Sequence, residues 1–279
     1  MSQSDKLPKI LPPKSDIVFK MLFGDERNVD LLISLLEAIL NVKIDSVTLL
    51  DTVLKPEHID DKKCILDVKA ELSGGERINI EIQVKNIKEM RSRITHYNNR
   101  LVAEQIGDSG DYSAIKPAIS IIIIDYPLIH ESEKCHNVFS MLEKDEHFPF
   151  NDLQEIHILH LCRIDMEKMP KVADWLSFIS SDKEEDFMIL AEKNQTLSRA
   201  FERLKVISAD EESRIIYEAR LKEQRDTRAE ISTARWEGKI EGKIEGRIEG
   251  KIEAAQEMIQ FLKSGHTLEE AEKMFLLNQ

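Results

Sequence analysis

Apolar and polar residues alternate over two consecutive runs between Cys64 and Lys85 (CILDVKAELSGGERINIEIQVK). Leu66, Val68, Ala70 and Leu72 interleave with Asp67, Lys69 and Glu71; Ile78, Ile80, Ile82 and Val84 interleave with Arg77, Asn79, Glu81, Gln83 and Lys85. A period of two predicts a half-buried β-hairpin. Ser73, Gly74 and Gly75 suit a three-residue loop with a glycine at positive φ. With that loop, Leu66 opposes Ile82, Val68 opposes Ile80 and Ala70 opposes Ile78 on the apolar face. On the other face Glu71 opposes Arg77 and Asp67 opposes Glu81. A one-residue slip would set Asp67 against Ile82, which a buried face forbids. Like charges directly opposite each other cost stability. An Asp67–Glu81 pair therefore needs a reason, and a divalent cation between them is the simplest one.

Elsewhere the period is mostly helical. Pro12 and Pro13 close a flexible start, and Ser15 or Asp16 caps a short helix carrying Val18, Phe19, Leu22 and Phe23, ended by Gly24. Asn28 or Asp30 opens a second helix through Leu40, with Leu31, Leu32, Leu35, Leu36 and Ile39 on one face. Lys43 to Asp51 reads as a strand. Ile87 to Ile106 reads as a helix that stops near Gly107 and Gly110. Ala118 to Asp125 has no alternation and predicts a strand buried on both faces. Leu153 to Cys162 predicts another strand in the same sheet. From Pro170 the pattern is helical, with Trp175, Leu176, Phe178, Ile179, Phe187, Ile189, Leu190, Leu197 and Phe201 as its apolar set.

Residues 208–236 are dense in charge and predict one long, solvated helix. From Gly238 to Glu253 the chain repeats GKIE GKIE GRIE GKIE. Each glycine costs about 1 kcal/mol of helix stability relative to alanine, and like charges stack at i,i+4. This composition predicts a spacer helical only in part; a self-association seam, with glycines admitting a second chain, is the sharper alternative. Charged surroundings exclude a membrane dimer built on its Gly-x-x-x-Gly pairs. Ala254 to Leu277 reads as a helical hairpin around Gly265, with Thr267 and Glu270 as a capping box. The expected division is a core over 1–165, a helical extension over 166–236, the repeat over 237–253 and the hairpin over 254–279.

Composition narrows the class. The 279 residues carry a net charge of −13, so no overall basic surface marks the chain as a backbone binder of nucleic acid. Lys88, Arg91 and Arg93, with Lys85 and Arg100, cluster after the hairpin and are the candidate DNA-binding patch; the plain alternative is a solvated helix face. No apolar run is long enough to span a membrane. The N-terminus lacks a signal-peptide core. The cysteines, Cys64, Cys135 and Cys162, are scattered without zinc spacing. A reducing cytoplasm is the expected setting.

An Asp at the end of one strand segment followed by Glu-x-Gln on the next resembles the PD-(D/E)XK nuclease superfamily. The wording ILDVKAEL and INIEIQ resembles its Rpn branch of recombination-promoting nucleases, also labelled transposases. SDIVFKMLFGDERN is similar to that family's N-terminal Asp-x-x-Phe-Lys segment, and RITHYNNRLVAEQIGDSGDYSAIKPAISIIIIDY to its following helix and strand. The resemblance covers roughly residues 12 to 126. It implies an α/β fold with a restriction-endonuclease-like αβββαβ core, the order that periodicity also gives, followed by a helical C-terminal region and the repetitive tail.

The resemblance further implies a metal-dependent DNA endonuclease acting in recombination or on mobile or foreign DNA. Asp67 and Glu81 would ligate Mg²⁺ or another divalent cation, with the backbone carbonyl of Ile82 as a third ligand. Gln83 stands where much of the superfamily has lysine; it can orient water but carries no charge. Lys85 or Lys69 could substitute. Asp16 and Glu37 are further candidates, each with a plain alternative as helix cap or surface residue. His157 and His160 fall on opposite strand faces and form no metal pair. The alternative function is a weakly active or inactive nuclease-fold interaction protein that oligomerises, as a dimer, through its tail.

Overall fold

The computed structural model describes residues 8–51, 53–54, 64–65, 67–106 and 110–275. The expected Leu66–Ile82 pair, the helix stop at Gly107 and the last turn at Leu277 lie outside them. Two compact units divide the chain, 1–218 and 219–279.

The first unit opens with two helices, α1 (Asp16–Phe23) and α2 (Val29–Leu40). Gly24 caps α1 through its N–H to the Lys20 carbonyl, and Asn41 closes α2 in the left-handed region at φ 54°. Both helices bury the apolar stripes their spacing predicts. Just before Pro12, Ile10 and Leu11 are buried and not free, and the Leu11 N–H donates to Ser208 Oγ at 2.9 Å.

The strands follow as β1 (Val47–Leu49), β2 (Val53–Leu54), β3 (Cys64–Ile65), β4 (Val68–Leu72) and β5 (Arg77–Gln83). After α3 (Met90–Ala103) come β6 (Ala118–Ile124), β7 (His136–Ser140) and β8 (Gln154–His160). Six of them form one sheet in the order β1-β4-β5-β6-β8-β7; β2 and β3 pair separately. β4 and β5 pair antiparallel with Val68 opposite Ile80, Ala70 opposite Ile78 and Glu71 opposite Arg77, the predicted register. Gly75 turns the loop at φ 91°. β5–β6 and β6–β8 are parallel; α3 is the crossover between β5 and β6, and the connection from β6 to β8 carries β7.

The hairpin is not half-buried. β5 is a central strand and both its faces are covered. One face carries Ile78, Ile80 and Ile82 toward α1 and α2. The other carries Asn79 and Glu81 toward α3. Partners in register share a face, and Asn79 is level with Ser120, Glu81 with Ile122. Ser120 accepts a hydrogen bond from Asn98 of α3, and Ile122 packs with Met90 and Ile94 of the same helix. Lys69 of β4 shares this face and is paired with Glu104, the C-cap of α3, at 2.6 Å. β7 is an edge strand that periodicity does not predict, because Val138 and Phe139 are both exposed.

Helices α4 (Pro170–Ser180), α5 (Glu184–Lys193) and α6 (Gln195–Ala209) pack over α1 and α2. A chain of aromatic contacts runs Phe19, Phe23, Trp175, Phe178, Phe187, Phe201. It ties the N-terminal helices to the extension. Ile189, expected in this set, is exposed.

The last helices are α7 (Glu211–Lys263) and α8 (Leu268–Phe275). α7 runs unbroken through the GKIE repeat, against the expectation of partial helicity. No proline follows Pro170, so nothing forbids the helix sterically; glycine only weakens it. Thr267 and Glu270 form the predicted capping box at the start of α8: the Glu270 carboxylate accepts from the Thr267 N–H at 2.8 Å, and Thr267 Oγ1 accepts from the Glu270 N–H.

Candidate active site

Glu81 is held mid-strand on β5, 4% exposed, with its carboxylate 3.5 Å from the Asn79 amide. Asp67 precedes β4 in a bend, and its Oδ2 accepts the N–H of Ile82 at 2.8 Å. The two acids are therefore not a ladder pair, as the extended register had placed them. The strand pairing begins at Val68, and the Asp67 side chain takes the next donor on β5 for itself.

Burial pushes the Glu81 carboxyl up to about 7, with Asp67 raising it further and Arg93 opposing. Burial likewise pushes Asp67 up to about 6; the Ile82 N–H lowers it, Asp16 raises it, and Lys20 and Arg93 lower it. Asp16, the first residue of α1, thus adds a third carboxylate to the same electrostatic neighbourhood. A carboxylate held this far above its ordinary range by burial and like charge is short of a counter-cation.

Aspartate and glutamate oxygens are the donors that Mg²⁺ takes, and Mg²⁺ normally keeps several waters. Among the described residues no group of three or more His, Cys, Asp or Glu side chains is placed to hold a metal ion. A cation here would rest on Asp67 and Glu81, with its shell completed by backbone oxygen, water or phosphate.

The other candidates divide. Gln83 donates its amide to the Lys85 carbonyl at 3.0 Å, so the side chain lies along its own strand. Lys69 is engaged by Glu104. Glu37 accepts the Ile44 N–H at 3.0 Å and pairs with Lys43, which commits it to the turn after α2 and not to the acids. Lys88 and Arg91 line an open cleft of about 360 Å³ with Asn86, Ser92 and His130. Arg91 holds Glu131 through two nitrogens, at 2.9 and 2.7 Å.

Arg93 is separate from that patch. Its guanidinium carbon sits 5.0 Å from the Tyr97 ring centroid, and its charge acts on both acids. Sequence reasoning grouped it with Arg91, although two residues on a helix differ by about 200° in direction. Lys20, whose charge reaches Asp67, was passed over as well, though it ends the SDIVFK segment quoted above.

A mixed sheet crossed by one helix, with one acid on a central strand and a second just before its hairpin partner, is consistent with a PD-(D/E)XK nuclease-like fold. A family model described as PD-(D/E)XK nuclease family transposase matches residues 13–234, and the chain belongs to that family. Comparison with curated proteins and with solved structures gives no match. No described helix is long and apolar enough to cross a membrane.

Proposed function

We propose that this protein is a divalent-metal-dependent DNA endonuclease, acting in recombination or on mobile or foreign DNA. The observation that carries the reading is the half-buried Asp67 tied by the Ile82 N–H, at 2.8 Å, to the strand that carries the buried Glu81, two acids in one electrostatic neighbourhood. A nuclease needs that concentration of hard oxygen donors beside the scissile phosphate; an inert strand face does not keep it. A divalent ion bound there supplies positive charge at the phosphate and a more acidic water.

The chain's own residues do the rest. Asp67 and Glu81 would hold the ion, with the Ile82 carbonyl as a third protein oxygen. Asp16 tunes Asp67. Gln83 orients water once it leaves the Lys85 carbonyl. Lys88 and Arg91 receive the DNA backbone along the α3 cleft, a local basic surface on an acidic protein. Two copies associate through the repeat of α7.

The test is nicking of supercoiled plasmid by purified protein with Mg²⁺ or with EDTA at low salt, beside Asp67→Ala and Glu81→Ala. Metal-dependent nicking that vanishes in both variants is the expected result. Absence of nicking with any divalent ion would refute the enzyme reading. Two observations favour the second reading in that event, an interaction protein on a nuclease fold: the −13 net charge and glutamine at position 83.

A further inference from the structure

We propose that Arg93 is the cation that faces the scissile phosphate, supplying the positive charge that Gln83 cannot. This rests on the nuclease reading above and assigns a residue to its transition state.

Four observations point to Arg93. It lies on α3 beside Ile94, and α3 covers the sheet face that presents Asn79 and Glu81. Its guanidinium carbon lies 5.0 Å from the ring centroid of Tyr97, one helical turn along, within cation–π range, which holds the group over that ring. Its Nε is buried and has no hydrogen-bond partner, a condition that native interiors rarely leave standing without a use. Its charge reaches both Asp67 and Glu81.

The neighbouring cations are otherwise placed. Lys69 is in an ion pair with Glu104, and Arg91 is held by Glu131. An arginine on the helix thus meets the acids from above, where the wider superfamily's lysine would rise from the strand.

The chemistry asks for charge and geometry and no proton. The oxygen of the attacking water bonds to phosphorus. The bond to the leaving sugar oxygen breaks, and its electron pair stays on that oxygen, which takes a proton from solvent. The water's own proton passes to solvent base. Negative charge grows on the non-bridging oxygens, where a guanidinium offers paired N–H donors. Arginine stays protonated throughout, so it serves as an electrostatic stabiliser and not as the base.

The experiment compares wild type, Arg93→Gln, Arg93→Lys and Arg93→Gln combined with Gln83→Lys. Plasmid nicking gives kcat and KM, and titration calorimetry with Mg²⁺ alone gives metal affinity. Wild-type protein that fails to nick whichever divalent ion is supplied refutes the nuclease reading at the first step, before any variant bears on Arg93. Given an active wild type, Arg93→Gln should lower kcat about 100- to 1000-fold and leave KM within about threefold. Its Mg²⁺ affinity should be kept or raised, because a positive charge beside the two acids is gone. Gln83→Lys should restore at least about tenfold of the lost rate by returning a cation to the strand. Arg93→Lys keeps the charge and loses the paired N–H donors, so its kcat should fall between wild type and Arg93→Gln. Unchanged kcat in Arg93→Gln overturns the proposal. So does Mg²⁺ binding lost in parallel with rate, or a Gln83→Lys combination that restores nothing. If Arg93→Gln does not fold, Arg93→Lys decides: reduced kcat with Mg²⁺ affinity kept supports the proposal, and unchanged kcat or Mg²⁺ binding lost with the rate overturns it.

Discussion

The Asp67 carboxylate accepts the backbone N–H of Ile82, 2.8 Å away, across the open end of the β4–β5 hairpin. One oxygen of the acid is thereby spent on the residue that follows Glu81. The bond locks the bend before β4 to the strand that carries the second acid, so the two carboxylates move as one unit. The same atom that would ligate a metal also organises the backbone beneath it.

That double use separates charge from shape. Asp67→Asn keeps an oxygen for the Ile82 N–H and removes the charge, whereas Asp67→Ala removes both. Asp67→Asn should be at least as stable as wild type at pH 8. Asp67→Ala should fall below Asp67→Asn by about 1–2 kcal/mol, the cost of a buried backbone donor left unpaired. Both should lose metal-dependent nicking. Urea midpoints beside plasmid assays check it; an Asp67→Ala as stable as Asp67→Asn would remove the structural part of the argument.

The raised carboxyls tie stability to pH with a definite sign. Asp67 rises from 3.8 to about 6 and Glu81 from 4.5 to about 7 on folding. The fold therefore favours their protonated forms. Their contribution is full below about pH 4 and is lost as pH rises through about 6 to 7. Glu81→Gln should raise the Tm at pH 8 and leave it unchanged near pH 4. Saturating Mg²⁺ at pH 8 should raise the Tm of wild type and not of Glu81→Gln. Thermal melts across that pH range decide it.

A histidine pair tilts the curve the other way. His136 Nε2 lies 2.8 Å from His157 Nδ1, and the far nitrogen of His157 meets the Glu155 carboxylate. Burial, then the neighbouring His157, pushes His136 down from 6.5 to about 4. The fold therefore favours neutral His136. Its contribution is present above about pH 6.5 and is lost as pH falls through about 4. His136→Gln, which cannot titrate, should flatten the acid limb of urea stability between those values. An unchanged limb would mean that β7 opens before His136 protonates.

The sequence made the hairpin register readable for a physical reason. An apolar face and a three-residue loop leave one pairing that buries Val68, Ala70, Ile78 and Ile80 together. It could not show that the polar face is buried too. Asn79 and Glu81 look solvated in an alternating strand; they are enclosed because Asn98 and Glu104 of a helix further along bring partners to Ser120 and Lys69 on that face. Alternation reports local polarity and is silent about what arrives from elsewhere. β7 was illegible because an edge strand with Val138 and Phe139 both exposed has no buried face to set a pattern. Arg93 is legible as a candidate cation of that helix, and helical phase separates it from Arg91.

The repeat of α7 gives the last prediction. Ile240, Ile244, Ile248 and Ile252 are exposed on a continuous helix, at 38%, 54%, 53% and 52%. Four-residue spacing advances about 40° per step against the 3.6-residue turn, so the isoleucines form a slowly winding ridge, and the glycines, two residues from them and about 200° round, form a second row on the opposite side. A Cβ added at Gly242 or Gly246 would meet nothing within 4 Å. Within one chain those glycines only cost helix stability, about 1 kcal/mol each relative to alanine. If the glycine row is the seam between two copies, the glycines are what let the backbones approach. Gly242→Ala with Gly246→Ala should then raise helicity by circular dichroism and weaken association by sedimentation, two readouts moving in opposite directions. Ile244→Glu with Ile248→Glu, on the opposite side, should leave association in place; a monomer in that variant would put the seam on the isoleucine ridge instead. Helicity and association rising together in the alanine variant would show that the glycines are mere weak points, and that the chains meet elsewhere or not at all.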